Sequence, residues 1–111
     1  MAILEIRTYR LRPGTREDFV RVLRDEAVPL LRQFGIRVVD CGPSLVGEDG
    51  AEEAYLIRAF ASLEERDTQE EAFYGSAAWR DGPRAGVVTP IEAYHTVVLD
   101  APEAAMTALE R

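Results

Sequence analysis

The stretch Leu4-Glu5-Ile6-Arg7-Thr8-Tyr9-Arg10-Leu11, closed by Arg12-Pro13-Gly14, decides how the rest of the chain is read. Side chains of a strand alternate between faces, so Leu4, Ile6 and Thr8 share one side while Glu5, Arg7 and Tyr9 share the other. The first set suits a core face under helices. The second carries groups capable of chemistry, and the expectation is that it looks into a cavity which the remaining chain covers or closes.

Moving outward, Pro13-Gly14 makes a turn and Thr15 opens a helix as its N-cap, with Glu17 and Asp18 at the positive end. Phe19, Leu23, Ala27, Leu30 and Phe34 recur at helical spacing, with Val20 and Leu31 beside them. Pro29 cannot donate to the carbonyl of Asp25, which predicts a kink or break, and Gly35 ends the helix as a left-handed cap. Residues 36–46 are strand-like, but Gly42-Pro43 demotes them to an edge. After a turn over 47–50, residues 53–61 return as the antiparallel partner, with Tyr55, Ile57 and Ala59 on one face and Leu56, Arg58 and Phe60 on the other. Ser62-Leu63-Glu64-Glu65 is a capping box that starts a helix running to about Tyr74. Gly75-Ser76 breaks it, residues 76–80 form a short helical turn, and 84–89 fit either helix or loop. Residues 91–99 make the fourth strand, with Val97-Val98-Leu99 at its end, and Pro102 precedes an alanine-rich tail helix.

The order strand, helix, strand, strand, helix, strand is the split β-α-β plan. It predicts an α+β fold: a ferredoxin-like βαββαβ domain over residues 1–100 with a four-stranded antiparallel sheet, followed by a C-terminal tail helix over 101–111. Right-handed crossovers put the first strand at the centre between the third and fourth. Two helices cover one sheet face. The other face is expected to expose Ile3, Tyr9, Leu11, Leu56 and Phe60, which a second copy would cover to give a dimeric α/β barrel.

Composition narrows the function classes. The 111 residues fit one domain. The net charge of −7 repels nucleic acid and anionic lipid, and no arginine cluster stands clear of neighbouring acids, so neither is expected as a partner. No apolar run approaches a membrane span, and a charged strand begins at once without a leader pattern, so the chain is expected to be cytoplasmic. All 13 basic residues are arginine, which leaves no lysine for a Schiff base. Cys41 is the sole cysteine and reads as an inert small residue. With one histidine and no ligand spacing no metal is expected, and with no glycine-rich phosphate loop or dinucleotide fingerprint no other cofactor is expected; His95 as an axial haem ligand has no second feature to support it.

Three segments together resemble the NIPSNAP family: Glu5-x-Arg7-Thr8-Tyr9-x-Leu11-x-Pro13-Gly14, then Pro29-Leu30-Leu31-x-x-Phe34-Gly35, then Ser62-Leu63-Glu64-Glu65-Arg66 with Trp79 further on. The resemblance runs from about Ile3 to Leu99. It implies the dimeric α/β barrel shared with antibiotic-biosynthesis monooxygenases, polyketide cyclases and muconolactone isomerases, and it implies no particular reaction. Where many members place His-x-Trp-x-Tyr on the third strand, this chain has Leu56-x-Arg58-x-Phe60, so no role of that histidine carries over.

The candidate catalytic residues are Glu5, Arg7, Tyr9 and His95. Glu5 suits a general base and Arg7 an anchor for a carboxylate or enolate; a structural ion pair is the competing reading. Tyr9 offers a donor to an oxyanion, or simply packs with its hydroxyl at the rim. His95 is the only side chain titrating near neutrality by default, but its companions Ile91, Ala93, Val97 and Leu99 suggest a helix-facing core position unless the strand bulges. Leu56, Arg58, Phe60 and Tyr94 are expected to line the cavity, with Trp79 as a lid or packed under the second helix. The expected activity is binding of a small aromatic, acyl or polyketide-like molecule by a homodimer, with cofactor-independent acid/base catalysis. The alternatives are a non-catalytic binding or interaction protein and a cofactor-free monooxygenase.

Overall fold

The computed structural model describes residues 2–111. Strands β1 (Ala2–Leu11), β2 (Arg37–Pro43), β3 (Glu52–Phe60) and β4 (Ile91–Ala101) form one antiparallel sheet in the order β2-β3-β1-β4. β1 is central, as the split β-α-β connection requires. The first helical segment is α1 (Arg16–Val22), a π-helical turn (Leu23–Ala27) and α2 (Val28–Gln33). Val28 N–H donates to Leu23 O, five residues back, so the helix widens just ahead of Pro29, whose ring and missing N–H disfavour an ordinary turn. Gly35 closes it at φ 80°. The remaining helices are α3 (Leu63–Tyr74), α4 (Ala77–Arg80), α5 (Arg84–Val88) and α6 (Glu103–Leu109). None of the helices described is long and apolar enough to cross a membrane.

Two caps differ from their sequence signatures. Thr15 turns its hydroxyl back to Arg12 O, and Glu52 of β3 takes over, accepting from Gly14 N at 2.6 Å and Arg16 N at 3.1 Å. Ser62 accepts from Glu65 N at 3.0 Å, while Glu65 binds Gln69 instead of reaching back.

The main correction concerns which face the helices cover. They lie on the Glu5/Arg7/Tyr9 side of β1, not on the Leu4 side. Tyr9 packs on Phe19 with ring centroids 5.2 Å apart. Ile3, Leu11, Leu56 and Phe60, expected on the open face, are buried with Phe19, Leu23, Leu31 and Phe73 in the principal core. The reason is volume: this face owns the bulkier apolar side chains, and burying them releases the most apolar surface. Its charged members are tolerated because α3 supplies partners for them.

The opposite face carries Leu4, Ile6 and Thr8, flanked through register by Tyr55, Ile57 and Ala59 on β3 and by His95, Val97 and Leu99 on β4. α6 docks on one end of it within the same chain. Met106 is buried among Ala2, Leu4, Val39 and Ala59, and Arg37 pairs with Glu103 and Glu110. Beyond α6 the face is open, leaving Val97 45% and Leu99 38% exposed.

Candidate functional site

Where α3 crosses β1 and β3, five charged side chains meet. Glu5 and Arg58 face each other across the strand pair and are fully buried. Arg58 donates Nε to Glu5 Oε1 at 2.7 Å and also bonds it through Nη2, while Arg66 of α3 donates Nε to Glu5 Oε2 at 2.6 Å. Tyr74, two turns beyond Arg66, accepts N–H from Arg58 Nη1 at 2.8 Å and from Arg7 Nη1 at 3.3 Å. Arg7 also donates Nε to Thr96 Oγ1 at 3.1 Å.

Glu70 sits between Arg66 and Tyr74. Its Oε1 lies 3.7 Å from Arg7 Nη2, and its Oε2 lies 3.4 Å from both Arg58 Nη2 and Arg66 Nε. Neither 3.4 Å contact is a hydrogen bond, and Oε2 is buried without a partner. Burial, and then the hydrogen bond with Glu5, push Glu70 up to about 7. Burial also opposes ionisation of Glu5, but the Glu70 hydrogen bond and the charges of Arg58 and Arg7 outweigh it and hold Glu5 down to about 2. Of the two neighbouring carboxyls, Glu70 is therefore the one that takes up a proton first as pH falls, and Glu5 the one that stays ionised.

This cluster forms the polar end of a cleft of about 740 Å³ between the sheet and the α3–α5 segment. Arg7, Glu70 and Tyr74 line that end, and Tyr9, Trp79 and Val87 form buried walls. Val88 and Tyr94, 41% and 65% exposed, stand at the mouth with Glu92. Tyr94 takes the Arg7 guanidinium at 5.4 Å from its ring centroid, and Trp79 packs on Phe73 and Tyr74 at 5.2 and 5.3 Å. Burial raises the Tyr9 phenol well above its ordinary value, so it stays protonated. A groove of equal volume along the outer side of α1 is lined by solvated charges such as Arg21 and has no comparable buried group.

The cleft therefore brings together Arg7, Tyr9, Tyr94 and Trp79 from the sequence expectations. Glu5 and Arg58 stand behind it, reaching it only through Tyr74 and Glu70. Leu56 and Phe60 belong to the core and do not line the cleft. His95 is exposed on the open face opposite Thr8, because β4 runs in regular register there and shifts only at Arg10/Leu11. It neither faces the helices nor joins Glu5 and Arg7. Glu70 and Tyr74 were missed; the signal was the i, i+4, i+8 spacing of Arg66, Glu70 and Tyr74, a polar stripe on one helix face. Among the described residues, no group of three or more His, Cys, Asp or Glu is placed to hold a metal ion.

The fold and this cleft define a ferredoxin-like α+β domain whose interior charges open into a pocket between sheet and helices. The sequence matches the NIPSNAP family over residues 4–99, and the chain belongs to that family. Among solved structures, an uncharacterized NIPSNAP domain protein from Burkholderia xenovorans is similar at TM-score 0.77 and 24% identity, covering 91% of this chain and 95% of that one. An uncharacterized NIPSNAP-like domain protein from the same organism reaches TM-score 0.80 at 18% identity, covering 92% and 86%. A putative antibiotic biosynthesis monooxygenase from Bordetella bronchiseptica aligns at TM-score 0.67 and 17% identity, covering 91% and 97%, which shows a shared fold. No curated protein matches the sequence.

Proposed function

We propose that this chain binds a small aromatic or acyl molecule bearing a carbonyl or enol in the cleft, and moves a proton on it without a cofactor. The observation that carries the reading is Glu70: a carboxyl on the cleft wall, raised to about 7, whose Oε1 lies 3.7 Å from Arg7 Nη2. Ionised Glu70 takes a proton from the carbon beside the carbonyl. The C–H electron pair moves into the enolate, whose oxygen accepts from the Tyr74 O–H and from Arg7 Nη2. Because two arginine N–H groups already occupy the Tyr74 oxygen, its own hydrogen is left to donate. Return of the proton from Glu70 to the other end of the enolate completes an isomerisation.

Ketonisation of enol phenylpyruvate, followed by ultraviolet absorbance, tests the reading in its reverse direction. Glu70→Gln is expected to slow it by about 100-fold or more and Tyr74→Phe by less. Equal rates for the folded protein and its Glu70→Gln variant would overturn proton transfer and leave a binding protein. The open sheet face supports pairing with a second copy: Val97 and Leu99 are exposed beside half-buried Ile6 and Ile57. Light scattering at micromolar concentration is expected to give a dimer, and a monodisperse monomer would overturn the pairing.

A further inference from the structure

Within the buried charge cluster the three arginines are not equally matched. Arg58 has ionised Glu5, and Arg66 has Glu5 together with Asp67. Arg7 has only neutral hydrogen-bond partners, Thr96 and Tyr74; among the described residues its one carboxyl within 4 Å is Glu70, at 3.7 Å. That carboxyl is the one that burial pushes up to about 7. Arg7 thus borders the cleft, 16% exposed, as the one arginine of the three that hydrogen-bonds no carboxylate. A neutral molecule closing the cleft would strip Arg7 of its remaining water and return no charge, which is unfavourable. An anion would supply that charge, and Tyr9, Tyr74, Trp79 and Tyr94 offer it ring faces and edges.

We infer that the cleft takes a planar aromatic carboxylate or enolate, held by Arg7 Nη2 and the Tyr74 O–H, and that this anion binds together with a proton on Glu70. The inference rests on the cleft assigned above as the substrate site and names the charge of what enters it. The groups facing Glu70 are Glu5, Arg7 and Tyr9 on β1, Arg58 on β3, and Arg66 and Tyr74 on its own helix, with Glu92 and Tyr94 of β4 at the mouth. The arginines stay charged, Glu5 stays ionised and Tyr9 stays protonated, so near neutral pH the proton in play is that of Glu70. A bound anion beside ionised Glu70 is repelled, whereas beside protonated, neutral Glu70 it is not.

Isothermal titration with 2-naphthoate and with its neutral isostere 2-naphthamide tests this. At about pH 6 the carboxylate is expected to bind at least tenfold tighter, and its Kd to rise about tenfold per pH unit above 7 as binding takes up one proton. Glu70→Gln keeps the preference and flattens the pH dependence. Arg7→Gln abolishes the preference, and Tyr74→Phe, a milder change, reduces it. Equal or tighter binding of the amide, a preference that survives Arg7→Gln, or binding of neither probe to the folded protein would each overturn the inference. Naphthoate preference without phenylpyruvate turnover sinks the proton-transfer reading alone. Turnover with no preference for the anion sinks this inference alone.

Discussion

The two faces of the sheet are opposites in how they reconcile polarity with burial. The helix-covered face buries Glu5 and Arg58 completely, whereas the open face leaves Val97 and Leu99 partly in water. A polarity rule would assign them the other way round. The difference teaches that burial follows the larger apolar volume, contributed here by Ile3, Tyr9, Leu11, Leu56 and Phe60, and that charge accompanies it where a crossing helix brings matched partners. The site exists because that matching is incomplete. Two carboxyls of very different acidity stand side by side, and one arginine hydrogen-bonds no carboxylate.

Removing one charge from the covered face is the strongest way to break the comparison. Glu5→Ala removes the carboxylate that Arg58 hydrogen-bonds and leaves it only Glu70 at 3.4 Å, and the expected loss is about 3 kcal/mol in urea denaturation. Replacing both residues, Glu5→Leu with Arg58→Met, is expected to recover most of it, since apolar pairs of similar volume often match buried ion pairs. A loss below about 1 kcal/mol for Glu5→Ala would mean that water reaches the pair, which would make the two faces alike.

The elements themselves were legible because each rests on local chemistry. Pro29 marked the disturbed helix, Gly35 its end, Ser62 the start of α3, and Gly42-Pro43 the edge position of β2. Period-two alternation correctly grouped Glu5, Arg7 and Tyr9 on one face. It carried no information on which group lies inward, since that depends on the helices that cross it. For the same reason His95 was paired correctly with Val97 and Leu99 and yet assigned to the wrong side. Glu70 escaped because its properties come from neighbours far away in sequence: an isolated glutamate on a charged helix reads as solvated. The tertiary meeting of Glu5, Arg58 and Glu70 is what makes it a titrating group near neutrality.

A smaller effect sharpens the account of the covered face. Glu70 rises from 4.5 to about 7 on folding, so its charged form is disfavoured in the native state. Its contribution to stability is full below about pH 4.5 and is lost as pH rises through about 7. Glu5 has the opposite sign: held down to about 2, it contributes above about pH 4.5 and fails as pH falls toward 2. Between about pH 5 and 8 the Glu70 effect stands alone among the two. Glu70→Gln is therefore expected to flatten the decline in stability over that range, gaining about 2 kcal/mol relative to the parent at pH 8. Parallel pH profiles of urea stability for parent and variant would show that the proton is not held where the site needs it.

The smallest effect belongs to the open face. In the isolated chain Val97 is 45% exposed, so Val97→Ala should change stability by no more than about 0.5 kcal/mol. If a second copy covers this face, the same methyl groups leave water on pairing, and the cost of Val97→Ala then depends on protein concentration. It should be near zero where light scattering finds monomers and about 1 kcal/mol where it finds dimers. Thr8, between Tyr55 and His95, gives the control, because it lies in the same sheet face but contributes little apolar area. A concentration-dependent cost at Val97 and none at Thr8→Ser would place the apolar rows of β4 inside the pairing surface. A cost at Val97 that stays the same at every concentration would instead mean that the face is covered within a single chain.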